Sequence, residues 1–114
     1  MLIGYARVST MDQNPALQMD ALQAAGCEKI YIEKASGSHR ERPQLKAALE
    51  YLREGDTLVV WKLSRLARSL TQVIKTAADI AERGIALKVL TQNIDTSTPE
   101  GRLFFHMTAA FDEF

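Results

Sequence analysis

The sequence predicts an α/β fold in which a mostly parallel central β-sheet is flanked by helices. Short segments rich in apolar and β-branched residues alternate with segments of helical periodicity, and one of the apolar segments is almost unbroken. Such alternation is typical of βαβ units, whose helices cover both faces of a parallel sheet. The chain has 114 residues, 46% of them apolar, which suffices for one domain with its own core.

Four strands are predicted from their apolar content. They are LIGYA at residues 2–6, KIYIE at 29–33, TLVVWK at 57–62 and IALKVL at 85–90. The third is the least interrupted by polar residues, so we expect it at the centre of the sheet, where helices cover both of its faces.

Helical periodicity fills the intervals between these strands, in PALQMDALQAAG, RPQLKAALEYLREG and SLTQVIKTAADIAERG. Each segment ends at a glycine suited to a helix C-terminus. These glycines are Gly26, Gly55 and Gly84. Pro15 favours a first helix that begins there with Asn14 as its cap. Residues 8–14 are then expected to form a loop at the end of the first strand, where open α/β sheets place their ligand sites.

The last segment, TPEGRLFFHMTAAFDEF, is predicted to be a helix capped by Thr98, with Pro99 in its first turn. Its apolar side chains cover more than one face, whereas packing on the sheet accounts for a single stripe. We therefore expect a partner helix on the second face. Because the apolar pattern is still running at Phe114, we expect the natural protein to continue.

Charge and composition exclude several classes of protein. Formal net charge is zero, yet residues 57–78 contain four basic residues and no acidic one, which predicts a local positive field. No apolar run approaches the roughly 18 residues that span a bilayer, so we expect a cytoplasmic protein without membrane contact. The single cysteine, Cys27, excludes an internal disulfide and is expected to be a small buried residue.

Polar, cation-rich segments follow the predicted strands, and the ends of parallel strands meet at one edge of a sheet. Six side chains are therefore candidates for one shared site: Arg7, Ser9, Gln13, Arg42, Arg65 and Arg68. A serine among arginines indicates attack on phosphorus, because a guanidinium matches two phosphate oxygens at once. Arg65 and Arg68 share one face if their segment is helical, and a solvated surface pair is the alternative interpretation of the two.

Other chemistries fit the residues less well. His39 and His106 are the only histidines, and Ser9 lacks the flanking glycines of a hydrolase nucleophile elbow. HRER and FDEF do not have metal-ligand spacing, and no phosphate-binding loop of the nucleotide-binding type is present. We therefore expect no metal, no cofactor and no small-molecule ligand.

Four linked motifs resemble the catalytic domain of the small serine recombinases, the resolvases and DNA invertases. They are YARVSTMDQ, ASG followed by RP, GDTLVVWKLSRLARSL and IDTSTPEGRLFFHMTAAFDEF. The resemblance implies that Ser9 attacks the DNA backbone, forms a 5′-phosphoserine link and releases a 3′-hydroxyl, without ATP or metal. Arg7, Arg65 and Arg68 would hold the scissile phosphate, and Arg42 would assist them.

The resemblance also assigns supporting positions. Gln13 would position neighbouring groups, and a further set lines or flanks the substrate site: Gln18, Ser36, Lys62 and Ser64. Many members have aspartate and glycine where this chain has Ser64 and Ala67, so Ser64 supplies no carboxylate for proton transfer.

The implied partners are a double-stranded DNA recombination site and a second copy of the chain, since members form homodimers that pair into a synaptic tetramer. Residues 1–114 would be the catalytic domain, with a C-terminal helix-turn-helix DNA-binding domain outside this chain. The motifs do not distinguish resolution, inversion and integration. The alternative interpretations are a non-catalytic α/β dimerisation or regulatory module, and a phosphodiesterase or nuclease.

Overall fold

The computed structural model describes residues 1–9, 14–35, 42–67 and 69–111. Within these residues one sheet has the strand order β2-β1-β3-β4-β5. The strands are β1 (Leu2–Ser9), β2 (Lys29–Ala35), β3 (Thr57–Val60), β4 (Ala86–Val89) and β5 (Ile94–Asp95). The first four are parallel, and β5 is antiparallel to β4. The predicted fold class and the central place of β3 are therefore confirmed.

Helices cover both faces of the sheet. They are α1 (Pro15–Ala24), α2 (Pro43–Tyr51), α3 (Leu63–Leu66), α4 (Leu70–Glu82) and α5 (Pro99–Phe111). The sequence did not predict α3 or β5, because a single helical turn and a two-residue strand are too short to show a periodicity. No helix of the described residues is long and apolar enough to cross a membrane.

The first strand is longer than predicted. Arg7, Val8 and Ser9 pair with Glu33, Lys34 and Ala35 in the parallel ladder between β1 and β2, so the expectation of a loop from residue 8 is wrong. Polar side chains at the end of a strand make its continuation hard to predict from the sequence. Whether the strand continues depends on backbone pairing with a neighbouring strand.

Helix starts follow the sequence better than helix ends do. Helix α1 begins at Pro15 as predicted, although the Asn14 side chain makes no capping hydrogen bond. Helix α5 is capped as predicted, because the Thr98 hydroxyl oxygen accepts from the Gly101 N–H at 2.9 Å. Helix α2 ends at Tyr51 rather than at Gly55, since the buried Leu52 adopts an extended backbone.

The other two glycines lie where a helix C-terminus needs a positive φ. Gly26 and Gly84 have φ of 92° and 76°, and each directly follows the C-cap residue of its helix, Ala25 or Arg83. After each glycine the next N–H donates back to the last turn of the helix, from Cys27 to Leu22 and from Ile85 to Ile80. This is the Schellman arrangement, so both predicted helix ends are confirmed.

The core is divided between the two faces of the sheet. The larger cluster lies on the side of α4 and α5 and includes Ile3, Tyr5 and Phe105. The smaller cluster joins Ala6 and Val59 to Leu22 of α1. Most of the buried apolar surface therefore lies on the face toward which Tyr5, and by strand alternation Arg7 and Ser9, also point.

Candidate active site

The site begins at the free end of β1. Side chains alternate along a strand, so Arg7 and Ser9 share the face of the fully buried Tyr5. The pairing of β1 with β3 ends at Tyr5 and Val60, whereas its pairing with β2 continues to Ser9. The last residues of β1 thus extend beyond β3 while remaining part of a strand, with both side chains half-buried.

Two of the predicted arginines meet at this end of β1. The Arg65 Nη1 donates to the backbone carbonyl of Arg7 at 3.2 Å. In turn, the Arg7 Nη2 donates to the backbone carbonyl of Ser64 in α3. The single turn of α3 thus places Arg65 against β1 and supplies the acceptor that fixes Arg7.

Arg42, at the start of α2, lies in the same cluster as Arg7 and Arg65. It occupies the N-cap position of α2, and its Nη1 donates to the carbonyl of Leu66, the last residue of α3. Carbonyls at the end of a helix have no partner within it, so they are natural acceptors for guanidinium donors. The structure therefore brings Arg7, Arg42 and Arg65 together around α3.

Glu33 is a residue of this site that the sequence analysis missed. Its side chain is only 5% exposed, and its Oε1 accepts from the backbone N–H groups of Gln44 and Leu45 at 3.1 and 3.2 Å. The carboxylate of Glu33, which belongs to β2, therefore caps the N-terminus of α2. This contact fixes the position of the helix start, where Arg42 is the N-cap residue. The sequence signal for Glu33 is an acidic residue at an inward position of a largely apolar strand.

Tyr5 supports Glu33 from the neighbouring strand. The Tyr5 hydroxyl donates to the Glu33 Oε1 at 3.4 Å. Burial, followed by the charge of Glu33, raises the pKa of Tyr5 well above its ordinary value of 10.0. The phenol consequently stays protonated and serves as a donor, not as a base.

Gln18 is almost fully buried, with 1% of its surface exposed. Its Oε1 accepts from the Arg7 N–H at 3.2 Å, and its Nε2 donates to the Arg7 carbonyl at 3.1 Å. The amide of Gln18 thus lies against the backbone of the strand rather than free in the site.

Lys62 lies just past the end of β3, which stops at Val60, two residues earlier than predicted. Its Nζ is 5.0 Å from the centre of the Trp61 ring, and the Arg65 Cζ is 6.0 Å from the same ring. Both distances are within the range of cation–π attraction. Trp61 therefore sits beside two cationic side chains at this edge of the sheet.

Three of the predicted residues, Gln13, Ser36 and Arg68, lie outside the described residues. Helix α3 ends at Leu66, and Ala67 has an extended backbone with φ of −154°. The helical spacing that would place Arg65 and Arg68 on one face is therefore interrupted between them.

The single cysteine lies on the other face of the sheet. Cys27 is half-buried, not fully buried as expected, and it packs against the smaller core cluster. Burial raises the pKa of its thiol, which makes it a poor nucleophile. No three His, Cys, Asp or Glu residues of the described chain lie close enough together to hold a metal ion. What the geometry offers is a serine hydroxyl at a strand end with cationic side chains nearby, an arrangement suited to an anionic phosphate.

Comparison with known proteins agrees with this chemistry. Residues 2–114 match the family model described as "Resolvase, N terminal domain". The chain is 56% identical over 113 residues to a DNA-invertase of Enterobacteria phage P7, and equally so to the serine recombinase gin of Escherichia phage Mu. Those matches cover 99% of this chain but only 61% and 58% of the two relatives.

The fold matches solved structures as well. The N-terminal catalytic domain of TP901-1 integrase superposes with a TM-score of 0.72 at 29% identity, covering 96% of this chain and 91% of that one. Sequence and structure thus point to the same group of proteins. The chain belongs to the resolvase N-terminal domain family.

Proposed function

We propose that this chain is the catalytic domain of a site-specific DNA recombinase whose nucleophile is Ser9. The observation that carries the proposal is the end of β1, where Ser9 lies two residues after Arg7 and Arg65 contacts the Arg7 backbone. The names of the relatives, DNA-invertase and serine recombinase, support the same reaction class.

The chemistry is a transesterification at phosphorus. The Ser9 Oγ loses its proton and bonds to the phosphorus, while the bond from phosphorus to the DNA 3′-oxygen breaks and that oxygen takes up a proton. A 5′-phosphoserine link and a 3′-hydroxyl result, so the number of phosphoester bonds is unchanged. Attack by the 3′-hydroxyl of an exchanged strand reverses the step and rejoins DNA without ATP.

The arginines supply charge stabilisation in this proposal. Arg7 and Arg65, with Arg68, bind the non-bridging oxygens of the scissile phosphate and stabilise the charge that develops during attack. Arg42 assists them from the start of α2. Gln13 positions neighbouring groups, and Ser36, Lys62 and Ser64 flank the DNA.

Double-stranded DNA is the substrate, and recognition of a particular sequence belongs to a helix-turn-helix domain beyond residue 114. The proposed location is the cytoplasm. Because the catalytic domain alone offers few phosphate contacts, its own DNA affinity is low and sensitive to salt.

A homodimer that pairs into a synaptic tetramer is the proposed assembly. Helix α5 buries Phe105 in the core but leaves Leu103 63%, Phe104 47% and Met107 52% exposed. Beside it a cleft of about 430 Å³, lined by Ile74 and Ala81 of α4 among others, lies between α4 and α5. We propose that α5 of a second copy covers this apolar surface, because contiguous exposed apolar side chains mark interaction sites.

The proposal is tested with a chimera in which this chain replaces the matching residues of the phage Mu relative. Incubation with nicked recombination-site DNA should give a covalent protein–DNA complex on a denaturing gel. Ser9→Ala should abolish it, and Ser97→Ala, at an exposed serine, should leave it intact.

Each alternative gives a different product. A nuclease would leave breaks with free 5′-phosphates and no rejoined recombinants. A non-catalytic module would give no covalent complex even when the chimera binds its site and dimerises. Normal cleavage by the Ser9→Ala variant would overturn the proposal.

A further inference from the structure

We propose that Gln18 is a positioning residue that replaces a missing strand neighbour and so holds the end of β1 in its reactive geometry. The inference rests on the proposed function for its effect on cleavage, but its structural part stands on hydrogen bonds alone. Gln18 acts by holding the backbone of Arg7 and does not contact DNA.

The hydrogen-bonding pattern of β1 shows what is missing. In a parallel sheet the N–H and C=O groups of successive residues point alternately to the two neighbouring strands. The Met1 carbonyl accepts from Thr57 of β3, and the Leu2 carbonyl accepts from Glu28 just before β2. Odd-numbered residues of β1 therefore point toward β3, and Arg7 is one of them.

Strand β3 does not reach Arg7. Its last pairing with β1 is Val60 with Tyr5, and the chain then turns into α3. A half-buried N–H and C=O at Arg7 would be costly to leave unpaired. The Gln18 side chain meets both groups, at 3.2 and 3.1 Å.

Glutamine suits this place because its side chain carries both an acceptor and a donor. Its amide offers one acceptor and one donor in a planar group, as the peptide unit of a neighbouring strand does. Glutamate keeps the acceptor but lacks the donor, and methionine has a similar length but neither group. The 1% exposure of Gln18 leaves the amide no access to solvent or DNA.

The Arg7 carbonyl links Gln18 to the arginines. That carbonyl accepts from both the Gln18 Nε2 and the Arg65 Nη1, so α1, β1 and α3 meet at one atom. Fixing the backbone of Arg7 also fixes the direction of Ser9, two residues further along the same strand. Because transition-state stabilisation depends on preorganised groups, loosening Arg7 should slow the chemical step.

The structural arm of the test uses amide hydrogen exchange in the 114-residue chain. In Gln18→Met, the Arg7 amide should exchange about tenfold faster, because one net hydrogen bond is lost. The Tyr5 amide should stay protected. Gln23→Met, at an exposed glutamine of the same helix, should change neither amide. Unchanged exchange at Arg7 in Gln18→Met would overturn the proposal.

A second variant keeps the test decisive if Gln18→Met does not fold. Gln18→Glu retains the acceptor for the Arg7 N–H but cannot donate to the Arg7 carbonyl. Protection of the Arg7 amide should therefore persist, while the side-chain donor to the carbonyl is lost. Rapid exchange at Arg7 in a folded Gln18→Glu variant would contradict the assigned pairing.

The functional arm uses the phage Mu chimera. Both Gln18 variants should lower the maximal cleavage rate roughly 10- to 100-fold, with an unchanged DNA concentration at half-maximal rate. A loss confined to DNA affinity, or an unchanged maximal rate, would show that Gln18 does not act by positioning. If the unsubstituted chimera forms no covalent complex, the proposed function fails, and hydrogen exchange alone decides the role of Gln18.

Discussion

At the scale of single residues, the candidate site combines arginines that we propose bind a phosphate with the backbone groups that orient those arginines. Arg7, Arg42 and Arg65 each donate to a backbone carbonyl. The arginines are thus oriented before DNA arrives, which is what charge stabilisation in a transition state requires.

Removing one arginine should separate its catalytic from its binding effect. Arg65→Ala in the chimera should lower the cleavage rate about 10²- to 10³-fold, as expected for one transition-state donor, with little change in site binding. Arg53→Ala, at an exposed position, is the matched control and should cleave normally. Rates come from single-turnover cleavage of nicked DNA, and equal rates for the two variants would contradict the role of Arg65.

Tyr5 predicts a pH dependence of stability. Its pKa is raised in the folded state, so the folded chain keeps the phenolic proton above the ordinary pKa of 10.0, where the unfolded chain loses it. Stability from this residue is complete below pH 10 and falls as pH rises further, by at most about 1.4 kcal/mol per pH unit. Urea titrations from pH 8 to 11 should show a shallower decline for Tyr5→Phe, and identical slopes would count against this burial.

At the scale of elements, hydrogen bonds between different helices and strands position the site. Glu33 of β2 caps α2, Arg83 after α4 donates to the carbonyls of Leu49 and Leu52 at the other end of α2, and Gln18 of α1 pairs with β1. Each contact joins two different elements, across 11 positions for Glu33 and Gln18 and across 34 for the contact of Arg83 with Leu49. Helix α2, whose N-cap residue is Arg42, is thereby held at both ends.

Loss of the Glu33 cap should destabilise the domain. Glu33→Ala leaves the first N–H groups of α2 and the Tyr5 hydroxyl without an acceptor, which should lower the free energy of unfolding by about 1–3 kcal/mol. Glu50→Ala, at an exposed position of the same helix, should cost much less. Denaturant titration measures both, and equal losses would refute the capping role.

Gly101 determines how closely α5 approaches β5. A Cβ atom there would lie 1.6 Å from the carbonyl oxygen of Asp95, so the backbone would have to move. Gly101→Ala should therefore destabilise the domain by at least about 1–3 kcal/mol despite alanine's better helix propensity. Glu100→Ala is the neighbouring control, and a stabilised Gly101→Ala variant would contradict this packing.

The sequence predicted the elements that periodicity and proline or glycine mark. The central place of β3, the start of α1 at Pro15 and the helix ends at Gly26 and Gly84 all follow from local rules. The end of β1 did not, because its pairing depends on β2. Glu33 and Tyr5 escaped notice for the same reason, since their roles depend on a hydrogen bond across 28 positions of the chain.

At the scale of the whole molecule, the candidate site and the exposed face of α5 lie on different parts of the fold. The site is at the carboxyl ends of β1 and β3, whereas the cleft beside α5 is lined by Asp56 and Thr57, at the amino end of β3. A partner bound to α5 therefore leaves the arginines accessible to DNA. This separation suits an enzyme that assembles and cleaves with different surfaces.

The interface assigned to α5 predicts the oligomeric state of the chimera. Met107→Glu should weaken its dimer at least about tenfold by placing a charge in an apolar contact. Leu17→Glu, at a similarly exposed apolar residue of α1, is the control and should leave the dimer intact. Sedimentation equilibrium distinguishes them, and an unaffected Met107→Glu dimer would rule out this surface.

The most direct measurement is the identity of the residue bonded to DNA. The covalent complex formed by the chimera on nicked DNA is digested with nuclease and protease, and the nucleotide-bearing peptide is sequenced by mass spectrometry. We expect a 5′-phosphate ester on Ser9, with a 3′-hydroxyl on the released strand. A link to any other residue, or a link to the 3′ end of the DNA, would contradict Ser9 as the nucleophile.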